Sequence, residues 1–205
     1  MSSPYEIRIP YGEIGAAADH FEHILDIAKD ERPIQAFLKD NRWVLANMHP
    51  HGYAVFSEFQ FGSSYRADFV VLEGSSAGTF VELVELESPT AQLTTKDGQF
   101  AKSVRKGIAQ VRDWEGWLDR NPRAIGDSRE RGGLDIEKFS LIMKTIYVGR
   151  RANISEKFNE LRNRDFESLG VSIRTYDRIL SYLRRMAEAH DRQPRGPYSN
   201  VKPIT

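Results

Sequence analysis

The chain has no cysteine among its 205 residues, which removes disulfide frameworks, thiolate zinc sites and cysteine nucleophiles together. It has no apolar run approaching the ~20 residues that a bilayer-spanning helix needs, so no membrane association is expected. The opening MSSPYEIRIP lacks a basic stretch followed by an apolar one, and a cytoplasmic location is expected rather than export. No phosphate-binding glycine loop of the P-loop kind occurs, so no nucleotide cofactor is expected. Net charge is missing too, because 29 Lys and Arg offset 29 Asp and Glu. What is present is the composition of a globular protein, 40% hydrophobic and 28% charged. The neutral total hides an asymmetry. Residues 1–100 hold 7 basic and 15 acidic side chains, and residues 101–205 hold 22 and 14. That distribution fits an acidic site facing a basic surface, and equally two differently charged solvated halves.

Periodicity gives the order of elements. Phe21, Leu25 and Ala28 at helical spacing predict a helix from Glu13 to Lys29, within a stretch (residues 1–32) that reads as an N-terminal helical appendage. Pro33 suits a first helical turn, and Ile34, Phe37, Leu38, Val44 and Leu45 carry a second helix as far as His49-Pro50-His51-Gly52. Three strands are expected next, at Tyr53–Phe61, Tyr65–Leu72 and Thr79–Glu87, separated by Gly62-Ser63-Ser64 and by the Gly74–Gly78 loop. Gln99–Asn121 is the clearest helix, with Phe100, Val104, Ile108, Val111 and Leu118 on one stripe. A loop is expected at Arg123–Gly133, then a strand at Phe139–Gly149 and a helix at Ser155–Leu169. A short strand at Val171–Thr175 and a basic helix at Asp177–Ala189 follow. From His190 to residue 205 the chain reads as a flexible proline-rich tail. The whole predicts an α/β fold, a mixed sheet covered by helices on both sides, occupying residues 33–189.

The chemistry concentrates on the third strand. Side chains alternate with period two, so Glu85 and Glu87 share a face with Val81 and Leu83, while Glu82 points the other way with Val84 and Leu86. Asp68 heads the otherwise apolar run of the neighbouring strand. If the Gly74–Gly78 loop turns the hairpin, Leu72 faces Val81 and Asp68 faces Glu85, and the three acids gather. Carboxylates on an interior strand are unfavourable unless a cation sits among them, and a divalent metal is the usual partner. Acids near strand ends also simply reach solvent, and edge strands carry charge to prevent aggregation. The residues alone leave both readings open.

Seven stretches in order carry a resemblance. They include Ile34–Asn41, Arg66-Ala67-Asp68-Phe69-Val70 and Val84-Glu85-Leu86-Glu87-Ser88-Pro89. Thr95–Gly98, Gln110-Val111-Arg112-Asp113-Trp114, Tyr147–Arg151 and Thr175-Tyr176-Asp177 complete the set. Together they resemble the PD-(D/E)XK nucleases, and more narrowly the Shedu antiphage nuclease domain, over roughly residues 33–181. The resemblance implies a divalent-metal endonuclease that nicks or cuts DNA in prokaryotic antiphage defence, acting as a homo-oligomer. Asp68 and Glu85 would ligate Mg²⁺ (or Mn²⁺), and Gln110 would orient water or metal ligands from the flanking helix. Glu87 departs from the pattern, since the general fold has lysine there. A glutamate can ligate metal or accept a proton, but it cannot offset phosphate charge. The missing cation is expected from Lys96, with Lys102 next, against the alternative of a loop lysine in water. If the exchange silences the enzyme, a nuclease-fold nucleic-acid-binding or sensor module in an oligomeric assembly remains.

Lys102, Arg105, Lys106 and Arg112 fall on the helix that carries Gln110 and form a candidate phosphate-tracking face, or a solvated one. Arg150 and Arg151 end a strand and suit either DNA contact or structure. For Trp114 and Trp117, base stacking competes with packing on the sheet. His49 and His51 are metal-ligand types without a third partner in view. Glu58 and Gln35 are weaker candidates for the acidic site.

Overall fold

The structure is a computed structural model that describes residue 5 and residues 7–61, 65–121, 123, 126–127, 133–134, 136 and 139–192. After a 3-10 turn at Tyr11–Glu13 come helices α1 (Ile14–Ile27), α2 (Arg32–Asp40) and α3 (Arg42–Asn47). Strands β1 (Gly52–Phe61), β2 (Tyr65–Ser75) and β3 (Gly78–Leu86) follow, and then helix α4 (Lys102–Arg120). The chain continues with β4 (Phe139–Tyr147), α5 (Glu156–Leu169), β5 (Val171–Arg174) and α6 (Asp177–Arg192).

One sheet runs in the order β1-β2-β3-β4-β5, antiparallel across its first three strands and parallel across its last three. Each face has its own apolar core. One joins Val81 and Leu83 to Val104, Val111, Trp114 and Leu118 of α4, and to Phe158 and Leu161 of α5. The other joins Val84 and Leu86 to α1, α2, α3 and α6. The mixed α/β sheet with helices on both sides is therefore the architecture expected. Trp114 is wholly buried with its ring centroid 6.1 Å from that of Phe61, so it packs rather than stacks on bases.

Three local expectations need correction. The predicted second helix is two, broken at Asn41, whose backbone leaves the helical region. The Asn41 side chain donates to the Phe37 carbonyl, which also accepts the Asn41 N–H, and accepts from Trp43 Nε1. The stretch read as an appendage contributes α1, which buries Ile14, Ala18, Phe21, Ile24 and Leu25 in the second core, largely against α6. Finally, α6 runs through His190 to Arg192. The rest of the expected tail, the Gly62–Ser64 turn and most of the Arg123–Gly133 loop lie outside the described residues.

The hairpin is tighter than expected, with only Ser76 and Ala77 between β2 and β3 and a positive φ of 128° at Gly78. Its register is the one read from the sequence, with Leu72 opposite Val81. Ser155 caps α5 by accepting from Phe158 N, and Gly170 ends it in the left-handed region.

Candidate active site

The β2–β3 ladder ends at the pair Phe69–Val84, one step before Asp68 and Glu85. Freed from the ladder, the Asp68 carboxylate takes over its work: Oδ2 accepts the Leu86 N–H at 2.8 Å, and Oδ1 accepts from Gln35 Nε2 of α2 at 2.8 Å. Two hydrogen bonds therefore orient this acid. Burial raises its pKa, the Leu86 N–H works against that, and the charge of Glu31 adds to the rise.

Glu85 sits deeper. It is 3% exposed, and its Oε2 is buried with no hydrogen-bond partner among the described residues. Burial pushes its pKa up, and the neighbouring charges of Asp68 and Glu87 push it further. Glu87 is 4% exposed and raised by burial, with Lys106 pulling the other way. Lys106 Nζ, from α4, lies 3.0 Å from Glu87 Oε1. Gly107 allows that approach, since a Cβ there would stand 2.9 Å from Ile146 Cγ2 and 3.4 Å from Glu87 Cγ. Behind the acids, the Tyr176 hydroxyl donates to the Glu87 carbonyl at 2.7 Å.

The remaining expected residues separate by position. Lys96 is exposed on a turn and makes no ion pair among the described residues, so the cation beside the acids is Lys106 rather than Lys96. Gln110 lies one turn beyond Lys106 on α4, half-buried, and Lys102 one turn before it, exposed. Arg105 and Arg112 are exposed on the adjoining side of the same helix. Arg150 is taken up by structure: its guanidinium reaches Asp177, the Leu25 carbonyl and Asp26. Arg151 is exposed and donates to Ser181 Oγ. Glu58 pairs with Lys39 and Arg66 instead of joining the acids. His49 is held between Glu82 and Glu73 on the opposite face of the sheet.

Sequence reasoning missed Glu31. Its charge raises the pKa of Asp68, Glu85 and Glu87 alike, so it belongs to the electrostatics of the site. The available signal was its place four residues before Gln35 at the start of α2, one helical turn away on the same face.

Fitness for a divalent cation follows from the donor set. Among the described residues no three acidic or imidazole groups close into a ready cage, so the expected cluster of Asp68, Glu85 and Glu87 is not a preformed three-ligand site. The orphaned Glu85 oxygen, beside a fixed Asp68, is still the kind of hard oxygen pair that a divalent cation takes.

The profile of the family described as Shedu protein SduA, C-terminal, matches residues 28–180. The chain belongs to that Shedu family. Family and architecture are those that the resemblance in the sequence implied. In shape the Shedu domain is also similar to the restriction endonuclease FokI bound to DNA, with a TM-score of 0.47 and 9% identity over 90% of this chain. It spans 31% of that protein's chain. Among curated proteins none matches. No helix among the described residues is long and apolar enough to cross a membrane.

Proposed function

We propose that this Shedu domain is a divalent-metal-dependent endonuclease of the cytoplasm that nicks or cuts DNA in antiphage defence. The observation that carries the reading is the buried, unsatisfied Glu85 oxygen beside Asp68. Asp68 and Glu85 would hold the cation, with Glu87 at its margin. When bound, Mg²⁺ or Mn²⁺ supplies Lewis acidity at phosphorus and a water of lowered pKa.

The protein's own part is positioning and charge. Gln35 and the Leu86 N–H fix the Asp68 carboxylate in one orientation. Lys106 takes the role that a strand lysine plays in the wider fold, offsetting phosphate charge from the helix side while Glu87 holds its ammonium in place. Gln110, one turn along α4, is placed to orient water. The exposed Lys102, Arg105 and Arg112 continue that helix face as a track for phosphates. The chemistry lies within residues 33–189, on a fold whose second core also takes in α1, and a homo-oligomer that repeats the basic face would raise affinity by avidity.

A second reading, a catalytically silent nuclease-fold binding module, draws on the same ion pair. Lys106 is already partnered by Glu87, and no three-ligand cage is preformed among the described residues. Plasmid relaxation in Mg²⁺, Mn²⁺ or EDTA separates the two. Metal-dependent nicking that disappears in Glu85→Gln supports the nuclease. Retention of DNA without cleavage in either metal supports the silent module.

A further inference from the structure

Away from the acids, a cavity of about 210 Å³ opens at the outer edge of the sheet, where β5 runs between α5 and α6. Five arginines line it: Arg151 after β4, Arg162 of α5, Arg174 at the end of β5, and Arg178 and Arg185 of α6. Arg178, Ser181 and Arg185 follow one another at helical spacing, so α6 turns a single polar face to the cavity.

These charges are unbalanced. Arg151 donates to Ser181 Oγ at 3.1 Å, Arg174 Nε donates to Ser172 Oγ at 2.8 Å, and Arg162 lies over the Phe158 ring. None of the five side chains makes an ion pair among the described residues. Asp177, the acid at the start of α6, gives its carboxylate to Arg150 Nε and to the Arg151 backbone N–H. Burial, and then the like charge of Arg178, hold Arg174 below the usual arginine range. Gathered guanidinium groups with most donors open are matched by an anion that accepts several N–H bonds at once, and phosphate does so in bidentate geometry.

The cavity also lies at the acidic end of the sheet. Glu87 N donates to the Tyr147 carbonyl at 2.8 Å and Val148 N to the Arg174 carbonyl at 2.9 Å, so the ends of β3, β4 and β5 form one row. Two strand spacings, about 10 Å, separate the backbones of Glu87 and Arg174 along that row, with Arg174 in register with Tyr147 and Leu86 and so on the face opposite to that of Glu85 and Glu87. A nucleic-acid strand covers this in about three nucleotide steps of ~3.4 Å.

We propose that this five-arginine cavity is a phosphate-binding subsite, gripping the backbone of the nucleic acid that the acidic site acts on. The backbone assignment rests on the nuclease reading above; the phosphate chemistry does not. A free polyphosphate presents the same groups, and the experiment tells the two sources apart.

The full chain is used in a Glu85→Gln background, so that cleavage plays no part. A short labelled DNA duplex is titrated by anisotropy over a salt series, and inorganic pyrophosphate is titrated by calorimetry. Arg178→Gln/Arg185→Gln is compared with a charge-matched control on α5, Lys157→Gln/Arg164→Gln. All four side chains are exposed, and a melting curve verifies the fold. The cavity variant is expected to lose about 10-fold or more in DNA affinity, and its salt slope to fall by about 2, near 0.9 per phosphate contact. The control is expected to keep most of both, and Arg178→Lys/Arg185→Lys, which keeps the charge without the bidentate fork, to keep the salt slope while losing part of the affinity. Unchanged DNA binding with pyrophosphate binding lost would reassign the subsite to a free phosphate ligand and overturn the backbone occupant. If neither titration changes, the subsite is overturned. A parent protein that binds no duplex at any salt sinks the nuclease reading instead, and the pyrophosphate titration then decides the cavity alone.

Discussion

Glu85 is held in the fold against its own solvation. A carboxylate with a buried oxygen that nothing satisfies loses hydration without compensation, which destabilises the native state by about 1–3 kcal/mol. Replacing it with a neutral isostere is therefore expected to stabilise the protein when metal is absent. In EDTA, Glu85→Gln should melt about 2–12 °C above wild type, at roughly 2–4 °C per kcal/mol for a chain of this size. In Mg²⁺ the order should close or reverse, because a ligand at 100 times its Kd adds about 2.7 kcal/mol to wild type. A wild-type midpoint that ignores Mg²⁺ would remove the metal from the site. Lys106 gives the complementary test. Loss of one preorganised charge at a reacting phosphate lowers rates by about 10²–10³, so Lys106→Ala should depress nicking on that scale. Lys96→Ala should leave nicking near wild type, since Lys96 stands exposed and without an ion pair among the described residues. The reverse pattern would restore the loop lysine that the sequence suggested.

Among the elements, β3 carries chemistry on both faces. Its outward glutamate on the second face, Glu82, accepts from Thr145 Oγ1 at 2.6 Å and meets His49 Nε2 at 2.7 Å, while His49 Nδ1 meets Glu73 Oε2 of β2 at 3.2 Å. The segment between α3 and β1 is thereby tied to two strands. Burial alone would lower the His49 pKa, but the hydrogen bonds and charges of Glu82 and then Glu73 outweigh it and raise it. A histidine raised in the fold contributes its stability in full below the unfolded value of ~6.5 and loses it as pH rises through the folded value. The stability gap between wild type and His49→Gln is therefore expected at about 1–3 kcal/mol near pH 6, narrowing at alkaline pH. Denaturant unfolding across pH measures it, and a gap that stays constant would mean an uncharged His49.

What was legible in the sequence follows the range of the interactions. The hairpin register, as far as the pair Phe69–Val84 one step before Asp68 and Glu85, came from a loop of a few residues and from period-two alternation. The opposed direction of Glu82 came from the same period. The pairing of Lys106 with Glu87 depends on how closely α4 lies on the sheet, which Gly107 decides through a contact with β4. No pattern local to either segment encodes that distance. The break at Asn41 was hidden because Trp43, which bonds its side chain, also continues the apolar stripe.

For the molecule as a whole, the charge asymmetry is partly spent internally. Acids of α1 meet bases of the second half, with Asp19 and Glu22 on Arg184 and Asp26 on Arg150. The acidic half thus closes on the basic half, and β3 pairs with β4 across the same divide. These ion pairs are mostly exposed and contribute little each, about 0–1 kcal/mol. The apolar face of α1 weighs far more. Ile14, Phe21, Ile24 and Leu25 are all buried, and full burial of such side chains stabilises by about 1.5–3 kcal/mol apiece. Their sum, roughly 6–12 kcal/mol, is comparable to the whole stability of a typical domain at about 5–15 kcal/mol. Although the family match begins only at residue 28, deletion of residues 1–27 is expected to abolish the cooperative thermal transition. Arg184→Gln, which removes charge and leaves that apolar face intact, should shift the midpoint by no more than a few degrees. Circular dichroism melts of the two variants decide the matter. A truncated chain that melts cooperatively close to wild type would make α1 the appendage that its sequence suggested, with α6 stable on the sheet by itself.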